Sequence, residues 1–492
     1  MQNALVKIIS ADTFTPLSLA RKLRARVILE SSTYLKGRSR YSLLMIDEAF
    51  TLFQEGREMY LRFADSGQAG NLGRNRGQAG ARQGIRRINS AARDILDVLR
   101  YFADQHKAMH QDFPFPAGGI GFCSFEFSRF CDSIRLPEKN DELNLPDAAF
   151  IFGHSFVIFD HYTDQLYLIA VQYREKQVDL EETIRSLEKR INDLNFNYLQ
   201  QRDTIYELEE ISAADHEDIY TSMVTTIREE IIAGNLLQAV PSRRRRFRTT
   251  IPAIEAYRTL RQTNPSPYMF YLDFSSYQLF GTSPEVHLRA KEGRALIRPI
   301  AGTRRRGKDK TEDAALEKEL LGDEKEKSEH LMLVDLGRND LGRVCRPASV
   351  RVTENMVVER YSQVMHIVSQ VEGDLEEGKC GIDALRATFP AGTVSGAPKI
   401  RAIETVHRLE PVQRRFYAGI VAYVEPGGDL DSCIVIRSAL YKDGVLNLQA
   451  GGGIVYDSKP SRELEETNEK MAALLHAINV VGSRRRQNDH SH

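Results

Sequence analysis

At 492 residues, 42% of them hydrophobic, the chain carries enough apolar surface for a large folded core. Its 67 Lys and Arg balance 68 Asp and Glu to a net charge of −1, which excludes a global field that would recruit nucleic acid or an anionic membrane. No apolar run approaches the roughly 18 residues that span a bilayer, and Met1 to Ser10 lacks the layout of a signal peptide, so a cytoplasmic protein with no membrane partner is expected.

Residues 1 to about 170 mix strand-like runs, such as Tyr41 to Ile46 and Phe150 to Phe159, with polar loops. The Gly/Gln/Arg-rich stretch from Ser66 to Gly84 reads as a surface insertion. Leu180, Ile184, Leu187, Ile191 and Leu194 recur at helical spacing among charges and predict an amphipathic helix that closes the first half. A helical stretch to Ala233 opens the second half. Strand patterns follow at Met269 to Phe274, Tyr277 to Gly281, Val286 to Ala290 and Ala295 to Pro299, and again at Gly419 to Val424, Cys433 to Leu440 and Val445 to Ala450. Ser275-Ser276, Lys291-Glu292-Gly293, Pro426-Gly427-Gly428 and Lys442-Asp443-Gly444 sit where hairpin turns belong. The pattern is α+β with antiparallel sheets. It divides into an N-terminal domain over 1–200, a second domain over 215–485 and a disordered tail over 486–492.

The five cysteines, Cys123, Cys131, Cys345, Cys380 and Cys433, never form a Cys-x-x-Cys pair and read as reduced and structural. Glu326 and Glu329 share a face of a helix over Lys325 to Leu336. Glu463, Glu466 and Lys470 share one on a helix that Pro460 opens, beside a stripe of Leu464, Met471, Leu475 and Ile478. Burying carboxylates costs free energy unless a cation compensates, and hard oxygen ligands suit Mg2+ better than zinc; solvated faces of charged helices explain the same spacing. Gly451-Gly452-Gly453 and the loop Pro390 to Lys399 offer open backbone amides for an anion, or are turns; neither matches an ATP or dinucleotide fingerprint. Arg437 reads as a carboxylate partner or a surface strand residue.

Together Pro299-Ile300-Ala301-Gly302-Thr303, Glu329 to Leu336, Gly392 to Lys399, and Gln449 to Val455 with Glu466-Thr467 resemble motifs of the chorismate-utilising enzymes. The resemblance is dense from Asp215 to Ile478 and is greatest to the anthranilate synthase component I branch. It implies that family's fold, large antiparallel sheets packed in a sandwich and flanked by helices. It implies conversion of chorismate and ammonia to anthranilate and pyruvate in tryptophan biosynthesis. Related branches carry a lysine where this chain has Gln238, to activate water, or at Ala301, as a nucleophile; neither is present here.

By the same resemblance Glu285 would be the general acid and His366 the base or orienter of the second step, with Thr393 and Gly392 lining the ring. Tyr417, Arg437 and the amides of Gly451 and Gly453 would hold the enolpyruvyl carboxylate. Glu329 and Glu466 would bind Mg2+, supported by Glu326 and Glu463, with Lys470 nearby. Glu30, Ser31, Pro267, Tyr268, Met269 and Tyr423 resemble a tryptophan-binding site for feedback inhibition; packing of the two halves is the plainer reading of these segments. No cysteine sits in a Gly-x-Cys-x-Gly elbow, so a glutamine amidotransferase subunit is expected to supply ammonia within a heterotetramer of two large and two small subunits. An aminodeoxychorismate or aminodeoxyisochorismate synthase is the nearest alternative, and an inactive tryptophan-binding regulator a distant one. Pro241 and the run Arg243 to Arg246 depart from the family pattern.

Overall fold

The computed structural model describes residues 3–33, 37–38, 40–64, 84–89, 91–109, 111–196, 206–213, 215–361 and 364–483. The expected insertion, apart from Gly84, and the expected tail over 486–492 lie outside the described residues.

Two long strands organise the molecule. Tyr41–Glu55 and Ala148–Asp160 pair along their lengths, and their register shifts between Met45 and Phe50. At such a bulge a strand can turn from one sheet into another. The halves around Leu44 and Val157 continue through Val27–Glu30, Tyr268–Asp273, Tyr277–Ser283, Ser438–Lys442, Val445–Gly451 and Ser242–Thr249. The halves around Leu52 and Phe150 continue through Ile120–Cys123, Ile420–Val424, Leu430–Ile434, Val286–Lys291, Arg294–Ile297 and Val364–Asp374. All of these pairings are antiparallel, so both layers contain strands from before residue 200 and from after it.

Strand alternation sorts the apolar side chains. Phe270 and Leu272 enter the core that Phe50, Phe122 and Ile420 build between the layers. Met269 and Tyr271 point the other way, toward Leu19, Leu187, Tyr257 and Met471 on the helices Pro16–Leu23, Leu180–Asn192, Ala253–Thr263 and Pro460–Ser483. Among the described residues no helix is long and apolar enough to cross a membrane. The cysteines are free, four of them buried and Cys380 half-buried.

Three local expectations change. The helix begun by the Asp179 cap ends at Asn192, where Asp193 turns extended, and Leu194 is 95% exposed rather than part of the stripe. Cys433 to Leu440 is two strands, Leu430–Ile434 in one layer and Ser438–Lys442 in the other, with Arg437 at φ 52° in the crossing between them. The carboxylate helix runs on to Glu324–Gly342, because Gly337 has no Cβ to meet Ile297 Cδ1, which would stand only 2.4 Å away.

The arginine run is accommodated by alternation. Arg243 donates to Thr467 and Asn468 of the C-terminal helix, and Arg245 pairs with Glu210 at 2.6 Å. On the opposite face Arg244 donates to Gln449 and to the carbonyls of Gln413 and Arg414, its pKa lowered to about 10 by burial. Arg246 faces Glu142 at 3.7 Å. Arg243, Arg244 and Arg245 thus meet acceptors and Arg246 a carboxylate charge, while one guanidinium nitrogen each of Arg243, Arg244 and Arg246 is buried with no hydrogen-bond partner among the described residues; the strand pairs in unbroken register with Val445–Gly451.

Candidate active site

The site forms where the chain passes from one layer to the other. Glu285 lies in the crossing from Tyr277–Ser283 to Val286–Lys291, and Arg437 in the crossing from Leu430–Ile434 to Ser438–Lys442. The crossings are laced together, since Ile434 N–H donates to the Glu285 carbonyl at 3.1 Å and Thr282 N–H to the Arg437 carbonyl at 3.1 Å. Left-handed backbone at a non-glycine residue costs energy and is held here by those neighbours, which aim the Arg437 side chain.

Between the crossings opens a crevice of about 200 Å³. Its titratable wall is Glu285, His366, Arg437 and Lys470, with Thr393 and Tyr417. Ala301, Gly451 and Gly453 keep the remaining wall low. A smaller pocket of about 40 Å³ shares Glu285 and Thr393 and adds Gly392. Gln238 does not line the crevice; it stands buried behind Gly453, whose Cβ, if present, would meet Gln238 Nε2 at 2.7 Å.

Glu285 is buried, and that burial raises its pKa to about 7, with the Thr393 hydroxyl and the Lys470 charge pulling the other way. Near neutrality it is a carboxyl that can still give a proton. His366 sits on Val364–Asp374 opposite Thr303, beside the bulge that Gly302 makes at φ 67°. Its Nδ1 lies 3.1 Å from the Gly302 carbonyl and 3.0 Å from the Thr303 hydroxyl. A carbonyl only accepts, so Nδ1 carries the proton and Nε2 is left with its lone pair. Burial lowers the imidazole pKa, against the Gly302 carbonyl that raises it, and favours that neutral form.

Arg437 donates to the Lys470 carbonyl at 2.9 Å. Lys470 Nζ meets the Gly451 carbonyl at 2.8 Å and Glu466 at 2.6 Å. The buried stripe of Pro460–Ser483 runs through Glu463, Thr467, Met471, Leu474 and Ile478; Leu464 and Leu475 lie at its border. Glu463 thus extends an apolar face. Glu329 approaches from the other helix, its pKa raised by burial and then, against Lys325, by Glu326, Glu463 and Glu466.

These four carboxylates feel one another, yet Glu326 is drawn to Arg304 at 3.0 Å and Glu466 to Lys470. Among the described residues no three acidic, His or Cys side chains close on one point tightly enough to hold an ion alone. Over Gly452, however, a Cβ would meet Glu463 Oε2 at 3.1 Å, the Tyr220 hydroxyl at 3.3 Å and Glu466 Oε1 at 3.8 Å. The donors gathered here are oxygens, the set that suits Mg2+, which commonly takes one or two carboxylates and completes its shell with water and ligand oxygens; Lys470 Nζ, 2.6 Å from the same Glu466 Oε1, would have to yield that oxygen to the ion.

A second cavity, about 380 Å³, is lined by Glu30, Ser31, Pro267, Tyr268, Met269 and Tyr423. Met269 pairs with Glu30 across the strands Tyr268–Asp273 and Val27–Glu30. The Glu30 carboxylate is held from behind by Arg261 at 2.5 Å and Tyr257 at 2.9 Å. Sequence reading missed Asp431 and Arg289. Tyr268 donates to Asp431 at 2.7 Å, and Arg289 contacts both the Tyr268 hydroxyl at 3.0 Å and Asp431 at 3.1 Å. Their signal is pairing, Asp431 opposite both Tyr423 and Arg289, which no linear motif displays.

A family model described as chorismate binding enzyme matches residues 57–476. Anthranilate synthase component 1 of Spirochaeta aurantia is 57% identical over 477 residues, 96% of this chain and 95% of that one. The crystal structure of anthranilate synthase component I from Streptococcus pneumoniae superimposes with TM-score 0.76 at 35% identity, over 89% of this chain and 92% of the other. The menaquinone-specific isochorismate synthase from Escherichia coli shares the fold, with TM-score 0.67 at 19% identity over 96% and 94%.

Glu285 supplies a pH test. Its folded pKa of about 7 exceeds its ordinary 4.5, so its contribution to stability is fully present below the lower value and lost as pH rises through the upper. Glu285→Gln is neutral throughout and is expected to gain on the wild type by on the order of 2–3 kcal/mol between about pH 5.5 and about pH 8.5. Urea unfolding at both pH values measures the gap; a gap that does not widen contradicts a carboxyl protonated near neutrality.

Proposed function

Since the chain belongs to the chorismate-binding enzymes and is an anthranilate synthase of the component 1 type, we propose that it converts chorismate and ammonia to anthranilate, pyruvate and water. The observation that carries the residue assignment is the meeting of a buried carboxyl with pKa about 7, an imidazole with Nε2 unprotonated, and two cations in one crevice.

Chorismate carries two carboxylates, a ring hydroxyl and an enolpyruvyl ether. Arg437, with Tyr417 and the amides of Gly451 and Gly453, binds the enolpyruvyl carboxylate. Thr393 and Gly392 border the ring. Glu285 gives its proton to the departing ring hydroxyl, which leaves as water while ammonia adds at the ring carbon next to the one bearing the carboxylate, the ring double bonds shifting to carry the electron pair from the new C–N bond to the breaking C–O bond. His366 Nε2 then takes the ring proton whose loss, with pyruvate, makes the ring aromatic. Ala301 and Gln238 offer neither an attacking amine nor a base that would activate water, which favours ammonia as the nucleophile.

Glu329 and Glu466 would hold Mg2+, with Glu326 and Glu463 beside them. The ion would neutralise and orient the ring carboxylate. Supplying ammonia from glutamine falls to a separate amidotransferase subunit, in a heterotetramer of two chains of each kind. The buried cysteines of this chain support that division. We place the enzyme in the cytoplasm and in tryptophan biosynthesis. The cavity around Ser31 and Tyr268 is the site of tryptophan feedback: it is large enough for an aromatic amino acid and lies between strands of both layers, where occupancy can bias the crevice.

Two variants test these roles. His366→Met is expected to consume chorismate while an aminated, non-aromatic compound accumulates, resolved by liquid chromatography and mass spectrometry; undiminished anthranilate output removes His366 from the second step. Ser31→Phe fills the second cavity and is expected to raise the tryptophan concentration for half inhibition by about tenfold or more, an estimate based on loss of a binding contact. An unaltered inhibition curve rules that cavity out.

A further inference from the structure

Tyr220, on the helix His216–Ile232, is fully buried, and among the described residues its hydroxyl has no hydrogen-bond partner. A buried polar group left unpaired costs free energy, and Phe at that position would pack equally well without the penalty. The hydroxyl belongs to the same oxygen cradle over Gly452 as Glu463 Oε2 and Glu466 Oε1. The helix that carries Tyr220 is tied to the C-terminal helix through Arg243, which is within 3.6 Å of Glu217 and donates to Thr467, one residue beyond Glu466, at 2.7 Å.

We infer that Tyr220 is a positioning residue of the cation site: with Mg2+ bound, its hydroxyl donates to an oxygen of the Glu463 and cation assembly and holds that carboxylate in its binding orientation. The inference rests on the assignment of the cation site under the proposed function. An outer hydrogen-bond donor suits Glu463, which among the described residues makes no direct ion pair like that of Lys470 with Glu466, and on which the Ser458 hydroxyl and the charges of Lys470 and Lys325 also act. The orphan donor is thus accounted for by the ligand that completes the cradle.

The test is Mg2+ binding to the whole purified chain, followed by isothermal calorimetry without chorismate and by the paramagnetic signal of Mn2+ as a substitute. Tyr220→Phe is expected to weaken Mg2+ by about tenfold, in the range measured for outer-shell partners, while thermal stability without Mg2+ is not lowered and tryptophan binding stays unchanged. Gly452→Ala, whose methyl would stand 3.1 Å from Glu463 Oε2, is expected to weaken the ion as well. If Glu466→Gln abolishes binding and Tyr220→Phe leaves it unchanged, the cation site stands and the role of Tyr220 is overturned. If the wild type binds no Mg2+ and Glu466→Gln changes nothing, the cation site itself is overturned, and this inference with it.

Discussion

A buried ion pair holds the crevice together. Arg414 and Glu410 are 1% and 4% exposed, and the guanidinium grips the carboxylate through Nε at 2.8 Å and 2.9 Å. Taking both charges out of water costs several kcal/mol each, recovered only if every remaining donor and acceptor is met. They are met by the strands and loops around the site. Arg414 donates to the carbonyls of Val394 and Val240, and Glu410 accepts from the Ser242 amide and hydroxyl at 2.8 Å. Ser242 in turn accepts from Gln449. An apolar pair of equal volume could be as stable, but it would not specify where Val240, Val394 and Gln449, three members of the crevice wall, must lie. Glu126 accepts from the amides of Arg414 and Arg415 and draws the first half of the chain into the same network.

With that frame fixed, charge is distributed along the crevice by function. Burial brings the Glu285 carboxyl to a pKa of about 7, so that near neutrality it is partly protonated, and lowers the His366 pKa, which favours the neutral imidazole. Arg437 and Lys470 place positive charge on the crevice wall, while Glu329, Glu463 and Glu466 gather negative charge beside it. Lys470 joins the two regions: its ammonium touches Glu466, and its carbonyl holds Arg437. The helix Pro460–Ser483 is therefore both part of the apolar cover of one layer and the element that spaces Glu463, Glu466 and Lys470 along the crevice.

The strands and hairpins of the second half were legible because their period-two pattern is local and their turns carry residues suited to left-handed backbone, such as Gly293 and Gly444. The site residues were legible only as members of long motifs, since spacing alone left Glu326 and Glu329 indistinguishable from a solvated helix face. What could not be read was long-range pairing. The break at Arg437 depends on which layer each flanking strand joins, the acceptors of Arg243 to Arg246 lie on elements up to 225 residues away, and Asp431 meets Tyr268 across 163 residues. Tyr220 was passed over for the same reason, being one more apolar position on its own helix until Gly452 and Glu463 are placed beside it.

The most direct measurement of the central claim is anthranilate fluorescence from the purified chain given chorismate, Mg2+ and excess ammonium at alkaline pH. The account predicts a signal that needs all three, that EDTA abolishes and that added Mg2+ restores. Chorismate consumed without anthranilate, or a signal indifferent to EDTA, would contradict it.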